Sequence, residues 1–468
     1  MCPYDYGQMG ELGMRIVKLE VSGLFGAVDH QVDIRPAGPT IITGPNGAGK
    51  THLLSLLRGL LALDVRVLLF TQYSEIRIAL ADGRHLAASR SVDEDGDVAV
   101  GLSVERDGKK VGFPLVLDRD LLEALSPDLP GHVRKVGPDR WFDSRSNRFM
   151  SRSFVERRYG ALFDRLPAEA RDLSPEVMDI CSPPYPVFID TKRLDVVGPE
   201  SPDGDYAGGS RADRPSAVSR ISEYTAQLRG EVTEARRSSI QATQSADLSF
   251  AARALEAARE TVKEDDLHKR YDQTVQRYET LARNSLAVGD APLEFPSKTT
   301  PTVRRILHVF LSDWDKRLEP LMPLNEKIQT LREILDSKLA PSRKKTAMSS
   351  RGDLEFRTFA GKRIRVADLS SGEQHLVALF TLLLFSASPG SLVLIDEPEI
   401  SLHAAWKHAF LADITRVAEI SNLQVIMATH SAGIINGNWD LTEELSFELS
   451  AGQDALSEVD EELDEFDE

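Results

Sequence analysis

The sequence has little cysteine, no long apolar run, and no lysine or arginine in its C-terminal segment after Arg416. Cys2 and Cys181 are the only cysteines among 468 residues, which argues against a disulfide framework and favours a reducing cytoplasm. No apolar run approaches the ~20 residues that span a bilayer, and the N-terminus lacks the basic-then-apolar order of a secretory signal. We therefore expect a cytoplasmic protein with no membrane partner.

Arg416 is the last lysine or arginine of the sequence. Fourteen acidic residues follow it and carry most of the net charge of −17. The end of the chain, 446–468, is therefore a separate acidic tail, which is either a solubilising segment, an electrostatic cover or a partner-binding segment. The remaining chain is nearly neutral, so the overall acidity does not exclude nucleic acid as a partner.

Strand patterns occur in four stretches. Alternating apolar residues predict three strands over 14–43, and three Asp-Gly pairs separate a meander of hairpins over 75–113. PVFIDTKRL (186–194) predicts a further strand, and 353–369 is again typical of a sheet.

Helical patterns dominate the middle of the chain. Residues 114–185 look mixed and mostly helical, and 195–216 has the composition of a flexible loop. Apolar residues spaced by three or four predict a helical insertion over about 217–338, with the character of a short antiparallel coil.

A glycine-rich loop lies between a short buried strand and an amphipathic helix. GPNGAGKT matches G-x-x-x-x-G-K-[ST]. In such a loop backbone N–H groups face the phosphates, the lysine reaches the β- and γ-phosphates, and the threonine hydroxyl holds Mg²⁺. The predicted nucleotide-binding residues are Gly44, Pro45, Asn46, Gly47, Ala48, Gly49, Lys50 and Thr51.

LVLIDEPEISLH (392–403) ends a buried strand with three acids. Carboxylates are costly to bury unless something pairs with them, and a magnesium ion with a phosphate chain would supply that partner. We expect Asp396 to hold Mg²⁺ and Glu397 to orient the attacking water. This pattern gives Glu399 no role.

Three further segments complete a specific order. LSSGEQ (369–374) precedes an apolar helix and resembles the signature loop of ABC-type ATPases, QVIMATHS (424–431) resembles their H-loop, and SLH (401–403) resembles their D-loop. The order of P-loop, signature, Walker B, D-loop and H-loop is the ABC order. The chain resembles RecF-like and SMC-like ATPases, and above all the OLD-like and AAA-15/AAA-21-type ATPases of bacterial anti-phage systems.

The resemblance implies an α/β ABC-type P-loop ATPase head with an antiparallel β subdomain and a helical insertion. It implies ATP and Mg²⁺ as ligands and a homodimer or higher homo-oligomer through composite ATP sites. In each site His430 would contact the γ-phosphate, and Ser370, Ser371 and Gly372 would come from the other copy. The implied segments are an N-terminal extension (1–13), a first half of the head (14–195), a linker with the helical insertion (196–345), a second half (346–445) and the acidic tail (446–468).

The glutamine of the Q-loop has two candidate positions. One is Gln72, which follows an apolar stretch. The other is the strand FIDTKRL, where relatives carry Gln-Arg and this chain has Lys192-Arg193. The second fits the ABC order better because it precedes the helical insertion, and it would place Lys192 where the glutamine usually stands.

Arginine and aromatic residues alternate in RWFDSRSNRFMSRSFVERRYG (140–160). This composition suits phosphate contacts and base stacking, so DNA is a candidate partner. An amphipathic helix with a solvated basic face is the simpler explanation of the same composition. SRKK (342–345) and KRIR (362–365) are weaker candidates for nucleic-acid contact.

No constellation typical of a nuclease accompanies these motifs, so a separate effector protein, a nuclease or a toxin, is the expected partner. The function expected from the resemblance is an ATP-dependent switch in an anti-phage defence complex. A DNA-repair or chromosome-maintenance ATPase, and a structural ATP-binding scaffold with little turnover, remain the alternatives.

Overall fold

A computed structural model describes residues 14–94, 98–117, 133–137, 140–144, 148–151, 175–190, 217–257, 261–287, 289–292, 294–400, 402–445 and 448–449. They form two compact units. The first comprises the described residues within 1–204, 389–411 and 422–468, and the second those within 205–388 and 412–421.

The strands are, in chain order, β1 (Ile16–Leu24), β2 (Val28–Asp33), β3 (Pro39–Thr43), β4 (Glu75–Leu80), β5 (Arg84–Val92), β6 (Val98–Arg106), β7 (Lys109–Leu117), β8 (Val133–Gly137), β9 (Arg140–Asp143), β10 (Arg148–Ser151), β11 (Val187–Asp190), β12 (Lys344–Met348), β13 (Leu354–Thr358), β14 (Arg363–Ile364), β15 (Leu392–Asp396), β16 (Gln424–Ala428), β17 (Thr442–Glu444) and β18 (Glu448–Leu449).

The helices are α1 (Lys50–Ala62), α2 (Val65–Phe70), α3 (Pro175–Ile180), α4 (Ala217–Glu256), α5 (Glu264–Arg283), α6 (Pro301–Leu318), α7 (Met322–Leu339), α8 (Ser371–Phe385), α9 (Ala404–Ile420) and α10 (Ala432–Ile435). None of the helices in the described part of the chain combines the length and the hydropathy of a membrane span.

A parallel sheet forms the centre of the first unit, in the order β11-β15-β16-β3-β17. Every residue of β15 and β16 is buried, as expected for a parallel sheet that is covered on both faces. Helix α1 buries Leu53, Leu54, Leu57 and Leu60 in the main hydrophobic core of the unit. The parallel strands end at one edge, and this geometry brings distant motifs of the sequence together.

An antiparallel sheet completes this unit, in the order β18-β2-β1-β4-β5-β6-β7. Its strands β1 and β2, together with β3 of the parallel sheet, confirm the three strands predicted over 14–43, and β4 to β7 confirm the hairpin meander predicted over 75–113. The buried side chain of Gln424 joins it to the parallel sheet: Gln424 Oε1 accepts from Ile16 N at 3.1 Å and Gln424 Nε2 donates to Ile16 O at 2.7 Å.

The mostly helical interpretation of 114–185 is wrong for the described residues there. Strands β8, β9 and β10 form a small antiparallel sheet, and α3 is the helix of this stretch within the described part. Strands of four or five residues contain too few alternations to show a period of two.

The helical insertion is confirmed as α4 to α7, with a three-stranded sheet β12-β13-β14 and helix α8 in the same unit. Helix α4 is 40 residues long and buries Ile221, Leu228 and Val232. The sheet predicted over 353–369 begins earlier, at β12. The loop predicted over 195–216 lies outside the described residues.

Candidate functional site

The P-loop connects β3 to α1 and needs glycine at its bends. Gly44, Gly47 and Gly49 have φ of 146°, 86° and 86°, a region that strongly favours glycine. At Gly49 a Cβ would lie 2.7 Å from Leu24 Cδ2, so no larger residue fits without movement. His30 Nε2 holds the loop at 2.8 Å from Ala48 O.

The N-terminus of α1 is open to an anion. Gly49 is the N-cap residue and supplies no side-chain cap, so the first N–H groups of a 13-residue helix are left for another acceptor. A Cβ at Gly47 would meet no atom within 4 Å. Both features fit a phosphate chain.

Lys50 is buried beside this loop, with 5 % of its surface exposed. Its Nζ donates to Gly44 O and Pro45 O, both at 3.0 Å, and lies 3.4 Å from His430 Nδ1. Burial lowers the pKa of Lys50, although the nearby carboxylates of Glu397, Asp396 and Glu399 act in the opposite direction.

Asp396 is the last residue of β15, with 3 % of its surface exposed. Thr51 Oγ1 donates to Asp396 Oδ2 at 2.8 Å. The hydrogen bond therefore brings the P-loop hydroxyl next to the carboxylate at the strand end, although the two residues are 345 positions apart in sequence. Mg²⁺ prefers oxygen ligands and keeps several of its waters, so this pair fits one face of such an ion.

Glu397 has a φ of 44°, a conformation that non-glycine residues rarely adopt and that is found more often at functional sites. Its N–H donates to Ala428 O at 2.9 Å, and its Oε1 lies 3.8 Å from His430 Nε2. The second acid is thus held between the ends of β15 and β16, close to the histidine of the predicted H-loop.

Glu399, to which the sequence assigned no role, binds the H-loop backbone. Glu399 Oε1 accepts from Thr429 Oγ1 at 2.8 Å and from His430 N at 2.9 Å. Its other oxygen is buried and has no hydrogen-bond partner within the described residues. The third acid in four residues was the signal, but its partner could be identified only once β16 was placed beside β15.

The signature segment begins α8 in the second unit. Ser370 is the N-cap residue and forms a capping box with Glu373. Ser370 and Ser371 are exposed and Gly372 is half-buried. Gln374 Nε2 donates to Leu369 O at 2.9 Å and to Val366 O at 3.2 Å, which fixes the loop from the other side. Leu402 and His403 of the predicted D-loop lie beyond β15, and Ser401 lies outside the described residues.

The two Q-loop candidates occupy different surroundings. Strand β11 pairs with β15 so that Asp190 lies opposite Asp396, and the chain therefore leaves this strand beside the Walker B acid. Lys192 itself lies outside the described residues. Gln72 instead borders the turn between β1 and β2: its carbonyl accepts from Phe25 N at 3.0 Å, and its Nε2 would lie 2.7 Å from a Cβ at Gly26.

The arginine and aromatic cluster is not one amphipathic helix. Its first described part is the hairpin of β9 and β10, and the Arg134 guanidinium of β8 lies 5.5 Å from the centre of the Phe142 ring. Arg145 and Arg152 lie outside the described residues. The helical alternative is wrong for the two strands, and the nucleic-acid hypothesis stays a prediction.

Fold and site together define a P-loop ATPase of the ABC type, with the two halves of the nucleotide fold separated by a helical insertion. The chain belongs to the family described as "AAA domain, putative AbiEii toxin, Type IV TA system", whose model matches residues 189–436, more than half of the chain. A search of curated proteins found no match.

Two solved structures are similar at low identity. One is the Smc head domain with an extended coiled coil bound to the C-terminal domain of ScpA, from Pyrococcus furiosus, with 15% identity, a TM-score of 0.35, and coverage of 96% of this chain and 99% of that one. The other is an SmcHead bound to the C-winged helix domain of ScpA, with 15% identity, a TM-score of 0.31 and coverage of 90% and 91%.

Proposed function

We propose that this ATPase binds ATP and Mg²⁺ at the P-loop and hydrolyses ATP between two copies of itself. The observation that supports this is the meeting of Lys50, Thr51, Asp396, Glu397 and His430 at one edge of the parallel sheet. Each has the chemistry that hydrolysis of a phosphoanhydride needs: a fixed cation, metal ligands, a carboxylate base and a sensor of the terminal phosphate.

Each residue has a separate task. Lys50 neutralises charge on the β- and γ-phosphates from a site with little water, where a charge acts more strongly. Thr51 and Asp396 would hold Mg²⁺, which when bound adds positive charge along the phosphates. Glu397 orients the attacking water and accepts its proton, and His430 contacts the γ-phosphate.

The site in one chain would be completed by the signature loop of a second copy. Ser370 and Ser371 are exposed at the start of the 15-residue helix α8, so a hydroxyl group and the positive end of the helix dipole face outwards. A γ-phosphate of the other copy is a suitable partner for both. ATP bound by one copy would thus contact the signature loop of the other and stabilise a head-to-tail dimer.

In its biological setting, we propose that the chain is the ATPase subunit of an anti-phage defence complex and controls a separately encoded effector, a nuclease or a toxin. The family description names a type IV toxin–antitoxin system, which supports a role within a multi-component system. Co-purification from the native operon with mass spectrometry tests this role. Recovery of a nuclease or toxin is expected. Recovery of the chain alone, with ATPase activity raised by double-stranded DNA, would instead favour DNA repair or chromosome maintenance.

The test of the catalytic proposal compares two acids. Glu397→Gln keeps the size of the side chain but loses its basicity, so ATP should still bind while hydrolysis falls by about 10²–10⁴-fold. The ATP-bound dimer should then accumulate. Asp396→Asn should instead weaken Mg²⁺-dependent binding itself.

Phosphate release and light scattering with ATP and Mg²⁺ measure both effects, and Glu94→Gln, an exposed acid, is the matched control. A wild-type rate in Glu397→Gln would disprove the role of the second acid. Loss of turnover without ATP-dependent association would retain the chemistry and disprove the composite site.

A further inference from the structure

The first turn of the signature helix α8 contains a buried acid, Glu373, whose carboxylate accepts four hydrogen bonds. Glu373 has 4 % of its surface exposed. Its Oε1 accepts from Ser342 Oγ at 2.9 Å and from Lys344 Nζ at 3.0 Å, and its Oε2 accepts from Lys344 Nζ and from Ser370 N, both at 2.7 Å. One carboxylate oxygen therefore links Lys344 directly to the backbone of the signature serine.

Glu373 forms hydrogen bonds with both the backbone N–H and the side-chain oxygen of Ser370. The Ser370 N–H donates to the carboxylate, and Ser370 Oγ accepts from Glu373 N at 3.3 Å. Because Ser370 Oγ already accepts from Glu373 N, its own hydrogen is left to donate to another group. Ser370 is exposed, so that group can come from outside the chain. The position of the Ser370 backbone, which carries this hydroxyl, depends on where the Glu373 carboxylate is held.

Lys344 is itself fixed by its strand. It pairs with Thr358 at the start of β12. Two residues further on, Thr346 N and Thr346 Oγ1 both donate to Asp336 Oδ1, at 2.5 and 2.8 Å. The next lysine, Lys345, is exposed on the opposite face of the strand. The cation at Glu373 is therefore held by the backbone of a small sheet and the end of α7.

A helix start does not need this lysine. A reciprocal Ser–Glu capping box already satisfies the two N–H groups concerned, and a buried ion pair adds little stability compared with a well-packed apolar pair. What the lysine adds is a fixed position for the carboxylate, since an ion pair with two short contacts restricts it far more than the box alone.

We propose that Lys344 is a positioning residue of the signature loop: through Glu373 it orients Ser370 for the ATP held by a second copy. This inference rests on the composite site proposed above. Lys344 does not touch the nucleotide of its own chain in this proposal, so its loss should affect association and turnover while leaving ATP binding at the P-loop unchanged.

The experiment uses the full chain with Glu397→Gln, which should accumulate the ATP-bound dimer. Lys344→Met is added and compared with Lys345→Met as the matched control and with Lys344→Arg as the conservative rescue. Sedimentation with ATP and Mg²⁺ gives the protein concentration for half-association, and calorimetry gives ATP affinity. We expect Lys344→Met to raise that concentration about tenfold or more at unchanged ATP affinity, with Lys345→Met neutral and Lys344→Arg mostly restored.

Lys344→Met leaves a buried carboxylate without its cation, which can destabilise the unit by itself. Lys344→Met with Glu373→Gln removes both charges and keeps the Ser-x-x-Gln form of the capping box. Thermal melting shows which variants fold. Association at the control concentration in either folded variant would overturn the positioning role. If the Glu397→Gln chain does not self-associate when ATP is present, the composite site itself is disproved, and the positioning role of Lys344 is disproved with it.

Discussion

The Glu399 carboxylate holds the backbone of His430, with Oε1 of Glu399 2.9 Å from His430 N. The same oxygen accepts from the buried Thr429 hydroxyl at 2.8 Å. Glu399 lies just beyond β15 and His430 just beyond β16, so this acid ties the ends of two neighbouring strands. Glu399 thus fixes the backbone of His430, while the ring of His430 lies against Lys50 and Glu397.

Removing this tie should impair turnover more than binding. Glu399→Ala should lower the ATPase rate by about tenfold or more, because an imprecisely placed catalytic group loses much of its effect. Glu399→Gln keeps an acceptor oxygen and should retain most of the rate. Steady-state phosphate release measures both variants, with the exposed Glu419→Ala as control. Equal rates in Glu399→Ala and wild type would contradict this role.

Lys50→Ala should abolish most ATP affinity, because the charge and the contacts that shape the loop are lost together. Lys50 Nζ now donates to two carbonyl groups of that loop. Isothermal calorimetry with ATP and Mg²⁺ is the measurement. Lys110→Ala, which removes an exposed lysine near the start of β7, should bind normally. Wild-type affinity in Lys50→Ala would remove the P-loop assignment.

The ion pair of Lys344 with Glu373 should also give a pH-dependent contribution to stability. Burial raises the pKa of Glu373, but hydrogen bonds from Lys344, Ser370 N–H and Ser342 outweigh it, so the pKa lies below its usual value. A lowered folded-state pKa stabilises the fold above the unfolded-state pKa, and this contribution is lost as pH falls through the folded value. The destabilisation by Lys344→Met should therefore be largest near pH 7 and shrink below about pH 4. Urea unfolding at both pH values measures it, and an equal loss at both would disagree with this account.

Tyr73 offers a test of packing. It has 3 % of its surface exposed, and its hydroxyl has no hydrogen-bond partner within the described residues; burial raises its pKa above the usual range. Tyr73→Phe should leave the free energy of unfolding unchanged or raise it by about 1 kcal/mol, because an unsatisfied polar group is removed. Tyr278 OH donates to Gly289 O at 2.8 Å, and Tyr278→Phe should cost roughly 0.5–1.5 kcal/mol. Urea denaturation measures the free energy of unfolding of both variants. A larger loss in Tyr73→Phe than in Tyr278→Phe would contradict this account.

The sequence predicted the elements whose signals are local. The P-loop strand, its glycines and helix α1 lie within 25 residues of one another, and the motif specifies their order. Asp396 and Glu397 were predicted because a buried strand that ends in acids needs a cation. Strands β8 to β10 were missed because each is too short to show a period.

Contacts between distant segments could not be predicted from the sequence. SRKK stays a weak nucleic-acid candidate, and nothing in its pattern indicates that Ser342 and Lys344 donate to Glu373, about 30 residues further along the chain. Glu399 had no predicted partner because Thr429 and His430 follow the neighbouring parallel strand, β16. Sequence periodicity records which face of an element is buried, but not which polar group lies opposite it.

The pairing of β3 with β16 has a consequence for synthesis. Ile42 pairs with Ala428, so the strand that leads into the P-loop leaves the ribosome about 390 residues before its neighbour. At roughly 5–20 residues per second the delay is on the order of 20–80 s. Throughout this time β3 has neither of its native strand partners beside it, because β16 and β17 both come later in the chain. A fragment that ends before Ala428 cannot complete the nucleotide-binding sheet.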